Sequence, residues 1–187
     1  MSIVFMDLET TGLIRPDKPF GPGITQIGAI RMDIQWTELD SFEMDVNPEM
    51  HIDQWEKKAI SLRGVGPDDL VEAPTFFAAF WSFAEFVRGA KIWCGHNING
   101  FDTKVLAANL KRYGFEHHFP WPAHHVDTMD MVVKHYGKRK KLGDVYKDIT
   151  GKKLEGAHEA LPDIRATAVI AKEFGKDQIE QLLRSGT

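Results

Sequence analysis

Ile3-Val4-Phe5-Met6-Asp7-Leu8-Glu9-Thr10-Thr11-Gly12 is an apolar run that acquires two carboxylates and then stops at a threonine pair and a glycine. Strand side chains alternate with period two, so Asp7 and Glu9 share one face of this predicted strand. Two like charges side by side at the end of a buried strand repel and lose hydration. A divalent cation relieves both costs, and Mg2+ or Mn2+ takes carboxylate oxygens in preference to His or Cys. Taken alone, the pair reads more readily as the end of a strand emerging into water. The rest of the chain decides between these readings.

Outward from this stretch, short strands come first. Residues 24–32 and 36–46 read as two more strands, joined to the first through a Pro/Gly-rich link over 15–23 and giving an antiparallel meander. Residues 53–60 form a weak helix and 64–67 a loop. Thr75 is a good N-cap for a helix over 76–88, closed by Gly89. Phe76, Phe77, Phe80, Trp81, Phe83 and Phe86 make that helix apolar on most sides, the pattern of a core helix more than of a base-stacking platform. Residues 91–95 are a buried strand that packs Cys94 away. Helices follow over 102–113, 127–136, 142–149 and 162–174, with a terminal turn or two over 177–184. The order implies an α/β fold: one mixed β-sheet with α-helices on both faces.

At 187 residues the chain suits one domain, expected over residues 1–187. With 43% hydrophobic and 27% charged residues it can bury a core and is not a disordered polymer. No apolar run reaches the length of a membrane span, and no basic segment followed by an apolar one opens the chain, so neither a membrane anchor nor a secretory leader is expected. A single cysteine suits a reducing, cytoplasmic compartment. The net charge of −4 neither recruits nor excludes nucleic acid. Charge is uneven, however: residues 134–153 carry eight Lys/Arg against two Asp, either a solvated face or a patch that tracks phosphates. His117, His118, His124 and His125 lack a cysteine partner and flank Pro120 and Pro122, which favours a solvent-exposed loop over a transition-metal site.

Further acids stand at predicted helix starts, Asp102 and Asp163, where the helix dipole favours the ionised form. His158 lies five residues before Asp163, and Pro162 places the helix start after it. The imidazole would sit on a loop ahead of the acid, a suitable position for a general base.

Three stretches together carry a family resemblance. Asp7-Leu8-Glu9-Thr10-Thr11-Gly12-Leu13 resembles the first motif of the DEDD superfamily of 3′-to-5′ exonucleases. His96-Asn97-Ile98-Asn99-Gly100-Phe101-Asp102 resembles the second, and His158-Glu159-Ala160-Leu161-Pro162-Asp163 matches the third motif of the histidine (DEDDh, DnaQ-like) subgroup. The tyrosine subgroup would need Tyr where Glu159 stands. In the second motif three residues separate Asn97 from Phe101, where most bacterial proofreading-type members have two. Asn47-Pro48-Glu49, Asp127-Thr128 and Lys141-Leu142 are lesser echoes.

The resemblance implies a ribonuclease H-like fold and two divalent cations, Mg2+ or Mn2+, roughly 3.5–4 Å apart about the scissile phosphate. It implies that Asp7 bridges them, that Glu9 and Asp163 complete one site, that Asp102 serves the other, and that His158 takes the proton of the attacking water. Thr10, Gly12, Leu13, His96, Asn97 and Phe101 would grip the terminal nucleotide. The expected partner is nucleic acid, with single-stranded or mismatched DNA favoured through the Glu-Thr-Thr-Gly of the first motif and short RNA as the runner-up. The enzyme would be free-standing or associated with a polymerase. A binding module that has lost catalysis is disfavoured because all four acids and the histidine are retained.

Overall fold

The computed structural model describes residues 2–17, 21–156 and 159–185. The opening stretch is β1 (Ile3–Thr10), the central strand of a five-stranded sheet. It pairs antiparallel with β2 (Ile24–Met32), which pairs antiparallel with β3 (Glu38–Asp45). On its other side it runs parallel to β4 (Ile92–Gly95), which runs parallel to β5 (His124–Asp127). The order is β3-β2-β1-β4-β5, a mixed sheet as expected.

Period two sends β1 into two cores. Val4, Met6 and Leu8 pack with α2 (Phe76–Val87) and α3 (Asp102–Tyr113), through Phe80, Phe83, Leu106 and Leu110 among others. Ile3 and Phe5 face α6 (Ala160–Arg184) and α4 (Thr128–Tyr136), through Ile164, Ala168 and Met131. Val145 of α5 (Leu142–Thr150) joins α4 and α6 on that side. Helices therefore cover both faces, and the phenylalanine-rich α2 buries Phe76, Phe80 and Phe83 as core, leaving Phe77 and Trp81 exposed. No helix among the described residues is long and apolar enough to cross a membrane.

Four elements depart from the sequence reading. The third strand starts at Glu38, because Asp33 Oδ1 accepts from the backbone N–H groups of Gln35 and Thr37 and holds residues 33–37 as a tight turn, with Trp36 at φ 66°. The weak helix is a 3₁₀ turn over Ile52–Gln54 followed by α1 (Lys57–Arg63), separated by the extended, buried Trp55 and ended by the left-handed Gly64. β5 replaces part of the expected histidine-rich loop. His125 stacks edge-on to Trp93 and Trp121, which lets a polar sequence serve as an edge strand. The last helix runs unbroken for 25 residues through Gly175. A Cβ there would lie 2.2 Å from Met131 Cε, so this glycine marks the close crossing of α4 and not a stop.

Candidate active site

The parallel strands β1, β4 and β5 all end at one edge of the sheet, where α/β folds place their sites. Asp7 and Glu9 continue the Ile3–Phe5 face of β1 toward α6, and Asp163 comes from the first turn of that helix. Ligand oxygens of the three carboxylates lie within 4.8 Å of one another. Gly28 makes this approach feasible. It pairs with Asp7 across β1 and β2, and a Cβ on it would lie 2.4 Å from Ala160 Cβ and 2.9 Å from Ile164 Cδ1. The helix that carries Asp163 is thus pressed against the strand beside Asp7. Pro162 falls at the third helical position, where its missing N–H costs nothing.

Asp102 reaches the same edge from the opposite layer. It is the first residue of α3, is buried, and its Oδ1 accepts from the Leu8 backbone N–H at 3.1 Å. The preceding loop is held by Asp127, the last residue of β5. Its carboxylate accepts from the N–H groups of Asn97 at 2.8 Å, Asn99 at 3.1 Å and Met129 at 2.9 Å. These bonds support the left-handed Asn97, at φ 71°, and cap α4 as well. In the sequence Asp127 reads only as a helix start, and the Asp127-Thr128 pair at the junction of β5 and α4 is the one local signal of its wider task.

Crowding shows in the acidities. Burial pushes the Asp7 carboxyl well above the usual range, and the neighbouring Asp102, Glu9 and Asp163 push it the same way. Burial lifts Glu9 to about 7, against the pull of the Arg63 guanidinium and with a further push from Asp163. Asp102 is also lifted to about 7 by burial, although its bonds to the Leu8 N–H and its own N–H oppose the rise. Clustered hard oxygen donors that resist ionisation together are the environment a divalent cation stabilises, so Asp7, Glu9 and Asp163 fit a hard divalent cation as a donor set. The four clustered histidines join no such group among the described residues.

Two clefts meet at the carboxylates. One, of about 210 Å3, is lined by Glu9, Thr10, Gly12, Leu13 and Phe101, with Lys58 and Leu62 of α1 opposite. Its floor is pinned by Glu56, a residue that no sequence signal marks. Glu56 Oε1 accepts from the Leu13 N–H at 3.3 Å and from Arg15 Nε at 2.8 Å, and a Cβ on Gly12 would strike its side chain. The second cleft, of about 710 Å3, is lined by Asp163, His96, Asn97 and the basic segment 139–141, and shares Lys58 and Leu62 with the first. His96 is engaged within the protein: Nδ1 lies 2.9 Å from Thr128 Oγ1 and Nε2 lies 3.3 Å from the Lys140 carbonyl. Burial lowers its pKa, and Nε2, facing a carbonyl, can only donate there. Arg139 Nη2 donates to Asn97 Oδ1 at 2.8 Å. The structure therefore brings Asp7, Glu9, Asp102, Asp163 and all six expected nucleotide-contacting residues to one edge. His158 lies outside the described residues.

Residues 4–171 match the model of the exonuclease family. The chain is 27% identical over 175 residues to the protein NEN1 of Arabidopsis thaliana, covering 91% of this chain and 35% of that protein. It is 31% identical over 182 residues to the PolC-type DNA polymerase III of Clostridium perfringens, covering 96% of this chain and 12% of that one. The chain thus spans only a third of the first relative and far less of the second. Among solved structures, the zinc-bound complex of E. coli ExoI with single-stranded DNA superposes with a TM-score of 0.77 at 20% identity, over 97% of this chain and 42% of that one. The nuclease domain of 3′hExo, a DEDDh family member bound to rAMP, gives 0.71 at 19% identity, over 96% and 94%. Both share the ribonuclease H-like fold described above.

Proposed function

The chain belongs to the exonuclease family, and from that premise we propose that it acts as an enzyme of the DEDDh type, hydrolysing phosphodiester bonds at the 3′ end of single-stranded or mismatched DNA and releasing nucleoside 5′-monophosphates. The observation that carries this reading is the convergence of Asp7, Glu9 and Asp163 within 4.8 Å, with Asp102 buried beside them.

Asp7, Glu9 and Asp163 would hold one Mg2+ or Mn2+ ion and Asp102 would serve a second. Bound there, such cations supply charge neutralisation at the scissile phosphate and acidify water. The protein's own groups do the rest. The small cleft receives the terminal nucleotide between Thr10, Gly12 and Leu13 on one side and Phe101 on the other. Asn97 and His96 shape the wall of the adjoining cleft, His96 through its ring edge because its nitrogens are occupied. His158 accepts the proton of the attacking water. The water oxygen forms the new bond to phosphorus, the bond to the 3′ oxygen of the penultimate nucleotide breaks, and that oxygen leaves as an alkoxide that takes a proton from solvent. No covalent intermediate on the protein is needed. Residues 1–187 would act as one exonuclease domain.

Two aspects of the comparisons bear on substrate and context. A neighbour solved with rAMP supports degradation of short RNA as the alternative. Likeness to a polymerase of the PolC type supports association with a polymerase. The test is 5′-end-labelled single-stranded DNA and RNA incubated with the protein and Mg2+ or Mn2+. Stepwise shortening from the 3′ end of DNA, faster than of RNA, is expected. Release of mononucleotides from neither polymer would refute the exonuclease reading, and a preference for RNA would replace DNA as the substrate.

A further inference from the structure

An acidic centre repels the polyanion it must cut, so the flanks of the groove must supply attraction. The cleft beside Asp163 receives Lys58 from α1 and Arg139, Lys140 and Lys141 from the segment between α4 and α5. Leu154 lines this cleft and a further one of about 770 Å3, whose wall includes Lys152, Lys153 and Arg165. The start of α6 connects the two, giving Asp163 to the first and Pro162 to the second. Some of these cations are spent inside the fold. Lys140 pairs with Asp148, and Arg165 is bidentate on Glu38 at 2.9 and 3.1 Å. Lys58, Lys141, Lys152 and Lys153 are exposed and in no ion pair among the described residues. Besides Asp163 itself, Asp144 and Glu155 are the acids that line these clefts with them.

Resting on the exonuclease reading, we propose that Lys141, Lys152 and Lys153 form a backbone subsite for the phosphates of nucleotides on the 5′ side of the scissile bond. If the terminal nucleotide fills the small cleft of Thr10, Leu13 and Phe101, the remaining strand leaves the carboxylates on the other side. That side is the cleft of Lys141, which passes Leu154 to reach Lys152 and Lys153. Lysines without carboxylate partners bind phosphates as point charges and read neither base nor sugar, so the subsite takes single strands of either sugar.

The experiment measures fluorescence anisotropy of labelled 20-nucleotide single strands, DNA and RNA in separate arms, in EDTA so that no cleavage is needed. Lys152→Ala/Lys153→Ala and Lys141→Ala are compared with Lys111→Ala/Lys172→Ala, which removes two exposed charges from outside the clefts. The subsite variants are expected to bind about tenfold more weakly. The slope of log affinity against log salt should become shallower by about 0.7 for each phosphate no longer neutralised. KM on long strands should rise to match while kcat holds, and Lys152→Arg/Lys153→Arg should restore binding. Wild-type affinity and salt slope in Lys152→Ala/Lys153→Ala, or an equal loss in the control pair, would overturn the subsite. An active wild type with unmoved subsite variants leaves the exonuclease reading standing. Binding that responds as expected in a protein that releases no mononucleotide would instead remove the exonuclease reading and keep the subsite.

Discussion

Asp127 ends β5 and Asp7 lies near the end of β1, two carboxylates on one edge of one sheet, but their surroundings differ. Both oxygens of Asp127 are taken by backbone N–H groups, from Asn97, Asn99 and Met129. Asp7 instead faces Asp102, Glu9 and Asp163, and the protein leaves it hard to ionise. A buried carboxylate satisfied by its own fold is structural. One surrounded by other carboxylates is unstable as an anion unless a cation from outside joins it. The comparison predicts that isosteric amides at the two positions fail in different ways.

Asp7→Asn should lower exonuclease activity by about a thousandfold or more, the scale of removing a main electrostatic element from a reacting centre. The same change should hold or raise the melting temperature without metal, because it removes mutual repulsion. Asp127→Asn should behave conversely. Its amide nitrogen would face an N–H donor, and stability should fall by about 3 kcal/mol, near 10 °C in Tm. Activity would drop only as far as the loop from Asn97 to Asp102 loosens. Thermal melts in EDTA and mononucleotide release in Mg2+ distinguish the two. A destabilised Asp7→Asn would remove the contrast, as would an Asp127→Asn protein with native stability.

A smaller effect sharpens the geometry. Asp163 meets Asp7 because α6 lies on Gly28, and Gly28→Ala must push Ala160 and Ile164 outward. Overpacking costs about 1–3 kcal/mol, and a displacement near 1 Å at a reacting centre costs about a hundredfold in rate. Ala160→Gly in the same chain should return most of the activity by vacating the space. Calorimetry of Mg2+ binding should follow the same loss and rescue. Rescue of stability without rescue of metal binding would show that Gly28 has no positioning role.

What is legible in the sequence follows the range of each signal. Asp7 and Glu9 are legible through period two, and Asp102 and Asp163 through helix starts, because these patterns are local. β5 is hidden because His125 gains its strand environment from Trp93 on β4 and from Trp121 just ahead of β5. Glu56, which pins Leu13, and Gly28, which receives Ala160, do so across more than 40 positions of sequence. The basic run can be counted in the sequence, but only the fold shows Lys140 spent on Asp148 while Lys141 faces the cleft.

The mildest test is a pH series on the metal-free protein. The carboxyls of Glu9 and Asp102 titrate near 7 in the fold and near their ordinary values of 4.5 and 3.8 when unfolded. Between these limits both groups hold more protons in the folded chain than in the unfolded one, so their contribution to stability falls as pH rises through roughly 4 to 7 and levels off above. Glu9 is mostly buried, and its share is on the order of 3 kcal/mol. Melts in EDTA from pH 5 to pH 8 should therefore show a Tm decline that Glu9→Gln reduces. Mg2+ should restore Tm at pH 8 and do little at pH 5, where protons occupy the same oxygens. Identical pH slopes for Glu9→Gln and the wild type would mean that Glu9 ionises without cost, and its contrast with the well-satisfied Asp127 would fail.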